Sequence, residues 1–322
     1  MLQSRGPINS HCIQPEKTGI NKDMKNRKTY TLAYSSCPND TFIFKGIAKH
    51  LIDTRGMDFN IVLEDVETLN QNAAKEVYDI TKLSFAALGN LLDKYALLRT
   101  GAALGMGCGP LIISLPNRTL SDKKDDKGKS PPGKQVIAVP GMGTTAYHLF
   151  KFYMADLFPE IETTIIPMPF ERIMPAVMGK KADFGVIIHE GRFVYQNMNL
   201  EMKADLGQWW EDKTSLPIPL GCIAVKRSMD PARALEIQTL IGESIDHGFL
   251  HPTLGAAYIQ EYAQEMEEDV IQKHIGIYVN KFSKDLGDKG ITAVTTFFEY
   301  ADRAGLMKTS PHPLFACPKV AR

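Results

Sequence analysis

The residues best suited to chemistry in this 322-residue chain fall in three short segments. The first is His189–Glu190, at the end of the strand-like run in "ADFGVIIHEGRF" (Ala182–Phe193). Imidazole titrates near neutral pH, so a histidine can serve as a general base without a metal. A lone histidine is otherwise commonly a loop residue bonded to backbone. The second is "SSCPNDT" (Ser35–Thr41), whose short polar side chains can cap a helix or turn donors towards a ligand. The third is "GMGTTA" (Gly141–Ala146). Its glycines permit close backbone approach, and the helix after it offers unpaired N–H groups to an anion. It lacks the Gly-Lys-Ser/Thr of a P-loop and the spacing of GxGxxG, and a plain turn into a helix fits it equally well. In "GMGCGP" (Gly105–Pro110), Cys108 would need a neighbouring base and a lowered pKa to be a nucleophile, and the sequence shows neither. Trp209 and Trp210 read as core aromatics, and His274 as a structural residue on a helix.

These segments must be held by something, and the patterns around them alternate between strand and helix. "TYTLAY", "FNIVLEDV", "DITKLSF", "VIAVP", "TTIIPMP", "DFGVIIH" and "CIAVKRS" have strand character. "TFIFKGIAKHLI", "ETLNQNAAKEVY", "FAALGNLLDKYALL", "TTAYHLFKFYMADLF" and "FERIMPAVMGKK" have helical spacing, with Leu69, Ala73 and Val77 on one face of the second. From Pro231 to about Ala304 the pattern is helical, and the Pro-rich tail is expected to be irregular. The alternation predicts an α/β class with largely parallel sheets. In such sheets, ligands sit beyond the carboxyl ends of the strands, where all three segments fall.

Composition narrows the function. With 37 basic and 37 acidic residues, the chain has no charge excess for a nucleic-acid surface. No apolar run reaches the length of a transmembrane helix, so no membrane insertion is expected. The first 28 residues lack the apolar core of a signal peptide. They are expected to lie outside the fold, either as a disordered leader or as residues ahead of a start at Met24. The five cysteines contain no CxxC pair, so neither a zinc site of usual spacing nor disulfides are expected, and the chain reads as cytoplasmic. Residues 117–135, with the charge run Asp122–Lys129, read as a solvated surface excursion.

Taken together, "SCPNDTFIF", "VLEDVETLN", "DITKLSF", "YALLRTGAALGMGCGPL", "GTTA", "MPAV", "GVIIHEGRF", "DLGQWWEDKTSLPIPLG" and "QEMEEDVIQKHIGIYVNKFSKDLGDKG" resemble the 1,4-dihydroxy-6-naphthoate synthases of the futalosine route to menaquinone. The resemblance runs in one order over about residues 30–305. It implies a periplasmic-binding-protein-like fold of type II: two α/β lobes, a central cleft and a two-strand hinge. Lobe 1 would be 29–114 with 218–305, lobe 2 would be 115–217, and 306–322 would be a tail. It also implies a carbon–carbon lyase that converts cyclic dehypoxanthine futalosine to 1,4-dihydroxy-6-naphthoate and dihydroxyacetone, without a metal or redox cofactor.

By the same resemblance, His189 is the catalytic base, and Lys82, Leu83, Ser84, Thr145 and Ala146 bind the small-molecule substrate. The sequence does not say whether Glu190 assists. Ser36, Met142–Gly143 and Gly191 depart from the family's usual residues, and Gly191 is expected to loosen the loop of His189. Two other readings use the same fold: a solute-binding protein without catalysis, and the sister chorismate dehydratase. The sequence does not give an oligomeric state.

Overall fold

A computed structural model describes residues 28–121, 134–189, 191–263 and 267–317. The expected leader up to residue 27, the run Asp122–Lys129 and Glu190 lie outside them. The chain opens with β1 (Thr29–Tyr34), α1 (Pro38–Ala48), β2 (Asp58–Leu63), α2 (Val66–Ala74), β3 (Ile80–Ser84), α3 (Phe85–Gly89), β4 (Tyr95–Leu97) and β5 (Ala103–Gly105). It then crosses to β6 (Leu111–Ser114), β7 (Gln135–Val139), α4 (Thr145–Leu157), β8 (Thr163–Pro167), α5 (Ile173–Met178), β9 (Phe184–Ile187), α6 (Gly191–Val194), β10 (Glu201–Asp205) and α7 (Leu206–Thr214). It returns on β11 (Ile218–Lys226) and ends in α8 (Pro231–Leu250), α9 (Ala256–Tyr262), α10 (Glu268–Tyr278), α11 (Lys281–Lys284) and α12 (Gly287–Arg303).

The first sheet has the order β2-β1-β3-β11-β4, with β5 also on β11, and the second has β10-β6-β9-β7-β8. The strands joined by crossover helices pair in parallel, β1 with β2 and β3, and β7 with β8 and β9. The expectation of largely parallel sheets is corrected, because both sheets are mixed. The two crossing strands run against their neighbours: β11 against β3, β4 and β5, and β6 against β9 and β10.

Residues up to 114 are expected in lobe 1, whereas β6 pairs in the second sheet, with Leu111 opposite Ile187 and Ser114 opposite Phe184. The crossing therefore lies between Gly105 and Leu111. An apolar run such as "LIIS" carries no mark of which sheet it joins.

Two helical expectations end early for local reasons. Helix α2 stops at Ala74, so Val77 lies beyond it and is half exposed. Helix α3 stops at Gly89, and the following "YAL" is buried as strand β4 against β11. The tail is irregular but tied down: the Leu97 N–H donates to Leu314 O at 2.8 Å and Ala316 N–H to Leu97 O at 3.0 Å.

Helix starts carry the capping residues expected of them. Asp65 accepts from the N–H groups of Glu67 and Thr68 at the start of α2, and Thr144 accepts from Tyr147 N–H at the start of α4. Each such cap is worth about 1 kcal/mol. Pro38 sits in the first turn of α1, where a missing N–H costs nothing.

The lobes share apolar core. Phe297 of α12 lies parallel to His148 of α4 at 6.0 Å and packs edge-on to Trp210 of α7 at 6.0 Å. Trp210 is fully buried with its indole N–H on Pro217 O, which bears out its reading as a core residue.

Candidate active site

Three chain ends meet between the sheets. The segment after β1 supplies Ser35, Asn39 and Asp40, β3 supplies Lys82 and Ser84, and the residue after Ile188 beyond β9 is His189. The start of α4 brings Thr144, Thr145 and Ala146, and α10 brings Tyr278. Together they line a cleft that is partly open to solvent. Much of its remaining wall is apolar: Val66, Ala103, Pro110, Ile188 and Leu220.

His189 has a left-handed backbone, φ 54°, which L-residues seldom adopt and which often marks functional positions. Its ring lies 5.0 Å from Phe170 and is nearly parallel to His274 at 6.2 Å. Cys37 Sγ is 3.4 Å from Nδ1 and 3.9 Å from Nε2. Such similar distances place sulfur beside the ring rather than on the axis of one nitrogen, so the thiol packs the imidazole. Burial, aided by the Lys82 ammonium and opposed by Asp40 and Asp65, holds the pKa of His189 down to about 4. The ring is therefore neutral at pH 7, the form a base requires. The loop after it is anchored, against the loosening expected at Gly191. Arg192 donates to Gly109 O and pairs with Asp205 at 2.8 Å.

Lys82 and Asp40 form a buried ion pair at the cavity wall. Asp40 also accepts from Ser35 Oγ at 2.6 Å and Asn39 Nδ2 at 2.7 Å, and Asn39 Oδ1 meets His274 Nε2 at 2.9 Å. This network is what makes two buried charges tolerable. The Lys82 stem passes over Gly221 on β11, where a Cβ would lie 2.7 Å from Lys82 Cε. Any larger residue there would displace the ammonium.

Ser84, Thr145 and Ala146 line the cavity, and the hydroxyls also tie the lobes together. Ser84 Oγ caps α3 and donates to Gly143 O at 2.6 Å, and Thr145 Oγ1 donates to Leu220 O at 2.9 Å. Leu83 faces the other way. Strand alternation turns its side chain away from the cavity into a cluster with Phe85, Leu88 and Cys222. Leu83→Ala should cost about 3 kcal/mol of stability in denaturant unfolding and leave KM unchanged. A raised KM without destabilisation would contradict that placement.

The glycine loop before α4 serves the lobe contact. Gly141 has φ 144°, and a Cβ there would lie 2.5 Å from Glu67 Cδ. Glu67 Oε1 in turn accepts from Gly143 N–H at 3.4 Å, and burial raises its pKa. Cys108 is buried and its thiol is pushed up to about 12, so it is not an activated nucleophile.

Two further histidines bear on stability. Burial lowers His148 to about 4 and His274 well below its ordinary value. Both are neutral in the fold, whereas the unfolded chain takes up protons near 6.5. Stability is therefore full above about pH 6.5 and declines as pH falls towards 4, by about 1.4 kcal/mol per pH unit for each such histidine. Thermal melts from pH 7 to 5 check this, and a constant melting temperature would contradict it.

His189, Lys82, Ser84, Thr145 and Ala146 and the segment holding Asp40 stand out in the sequence. Tyr278, Leu220 and Val66 in the wall do not, nor do Glu67 and Asn70 beneath the glycine loop. Tyr278 sits on a helix among ordinary core residues and donates to Cys108 O, so no local pattern marks it. The "VLEDVETLN" run holds Asp65, which caps α2 at the cleft, and Glu67, which packs against Gly141.

A family model described as "Menaquinone biosynthesis" matches residues 30–303. A Streptomyces coelicolor protein named "1,4-dihydroxy-6-naphtoate synthase" is 39% identical over 279 residues, covering 87% of this chain and 95% of that protein. A Thermus thermophilus protein of the same name is 38% identical over 285 residues, covering 88% and 98%. Among solved structures, an Archaeoglobus fulgidus protein superposes with TM-score 0.78 at 29% identity, covering 87% of this chain and 98% of that one. A Candida albicans protein with the generic periplasmic binding protein fold superposes with TM-score 0.61 at 15% identity, covering 88% and 92%. The last likeness establishes the fold, and the sequence matches place this chain in the menaquinone biosynthesis family.

Proposed function

We propose that this chain is a carbon–carbon lyase of menaquinone biosynthesis, a 1,4-dihydroxy-6-naphthoate synthase acting on cyclic dehypoxanthine futalosine and releasing dihydroxyacetone. The observation that carries the reading is a neutral imidazole, His189, on the wall of a largely apolar cavity with a cation on the same wall. The apolar wall suits a flat ring system. The substrate carboxylate suits Lys82 and the first turn of α4, where the N–H groups of Thr145 and Ala146 have no acceptor within the helix.

In this reading His189 removes a substrate proton. The electron pair released breaks the bond to the three-carbon fragment, the ring gains aromaticity, and the imidazolium returns its proton to the departing fragment. The substrate's atoms are divided between two products, with no net oxidation and no water consumed. The protein contributes the base, its orientation and a shielded cleft. Among the described residues no helix is long and apolar enough to cross a membrane, and we place the reaction in the cytoplasm.

The test is substrate choice. Purified protein is incubated anaerobically with cyclic dehypoxanthine futalosine or with chorismate, and products are identified by absorbance and mass. The expected result is naphthoate from the first and no change in the second. Dehydrated chorismate would make it the sister dehydratase.

A further inference from the structure

The cleft contains a second, partly open cavity, and His189 stands between the two. Ser35, Val66 and His189 wall both. The second is formed at the ends of β1 and β2 by Ser36, Glu64 and Asp65, with Phe170 of the other lobe across from them. Its chemistry differs from that of the first. The inner cavity is mostly apolar and its Lys82 is paired with Asp40, so its wall carries no net charge, whereas the second has two exposed carboxylates, Glu64 and Asp65, and no cation in its wall. The Asp65 carboxylate is occupied as the cap of α2. The Ser36 hydroxyl and the Glu64 carboxylate have no side-chain partner among the described residues.

A negatively charged, hydroxyl-bearing cavity repels an acid and accepts hydrogen bonds from a neutral polyol. The charge difference thus sets one direction for a ligand with an acidic ring at one end and hydroxyls at the other. We propose that the second cavity is a polyol subsite that holds the hydroxylated three-carbon fragment, with Ser36 and Glu64 as its binding groups. This rests on the lyase reading above and places the bond to be broken against His189, at the boundary of the two cavities.

Calorimetry in a His189→Asn background tests it, because substrate then binds without reacting. Two ligands are titrated: the cyclic substrate, which carries both halves, and 1,4-dihydroxy-6-naphthoate, which carries only the ring. Adding Ser36→Val or Glu64→Gln should weaken substrate binding about tenfold, the size of a lost hydrogen bond involving a charged group. Naphthoate affinity should stay within about twofold of its starting value, since the ring makes no contact there. If both affinities fall together, or neither moves, the subsite is overturned. Wild-type turnover reports on the lyase reading separately: a wild type that forms no product, with substrate affinity still responding to Ser36 and Glu64, refutes the reaction and not the polyol contact.

Discussion

His189→Asn turns over cyclic dehypoxanthine futalosine about a thousandfold more slowly than the wild type, with its fold intact. A positioned general base contributes roughly a hundred- to ten-thousandfold, and Asn keeps polarity and approximate size while removing the titrating nitrogen. Little stability should be lost. His189 lies at a cavity wall, and its contacts are the Cys37 sulfur and the Phe170 and His274 rings. Rapid-quench kinetics and thermal melts measure the two sides. A variant with at least a tenth of wild-type rate would remove His189 from the role of base. The wild-type pH profile carries a second expectation. The base is active when deprotonated and its pKa is held down to about 4, so the acid limb of kcat/KM should lie well below the usual histidine range. Between pH 6 and 7.5 this group should cause no loss.

Lys82→Met should destabilise the protein by about 4 kcal/mol, more than a surface charge could. The reason is what remains: Asp40, 1% exposed, would keep its charge in a buried site with only Ser35 and Asn39 to donate to it. Adding Asp40→Asn should return much of that loss, since removing both charges together is far cheaper than removing one. Substrate affinity should not return, because the double variant still lacks the cation offered to the carboxylate. Denaturant midpoints and substrate titrations of the two variants separate these effects. A single variant as stable as the wild type would contradict this account of the pair.

The pair also shows what a linear sequence can and cannot reveal. Lys82 and Asp40 are 42 positions apart, and only the adjacent parallel strands β1 and β3 bring them together. Local signals were legible: the strand ending at His189 and the start of α4 after "GMGT". Alternation along β3 was legible too, and it separates Lys82 and Ser84 from Leu83. The resemblance carried Leu83 as a binding residue although the period of two turns its side chain to the opposite face. The crossing at Gly105–Leu111 was misplaced because strand type does not record sheet membership. Tyr278 was invisible because it reaches the cleft from α10, whose helical pattern is that of any core helix.

A single-turnover experiment with enzyme in excess over cyclic dehypoxanthine futalosine would decide whether this cleft breaks a bond or only holds a ligand. Both small products are quantified after a quench. The expected result is one equivalent each of 1,4-dihydroxy-6-naphthoate and dihydroxyacetone per substrate. Tight binding with the cyclic substrate recovered unchanged would contradict the lyase and leave a solute-binding protein in the same fold.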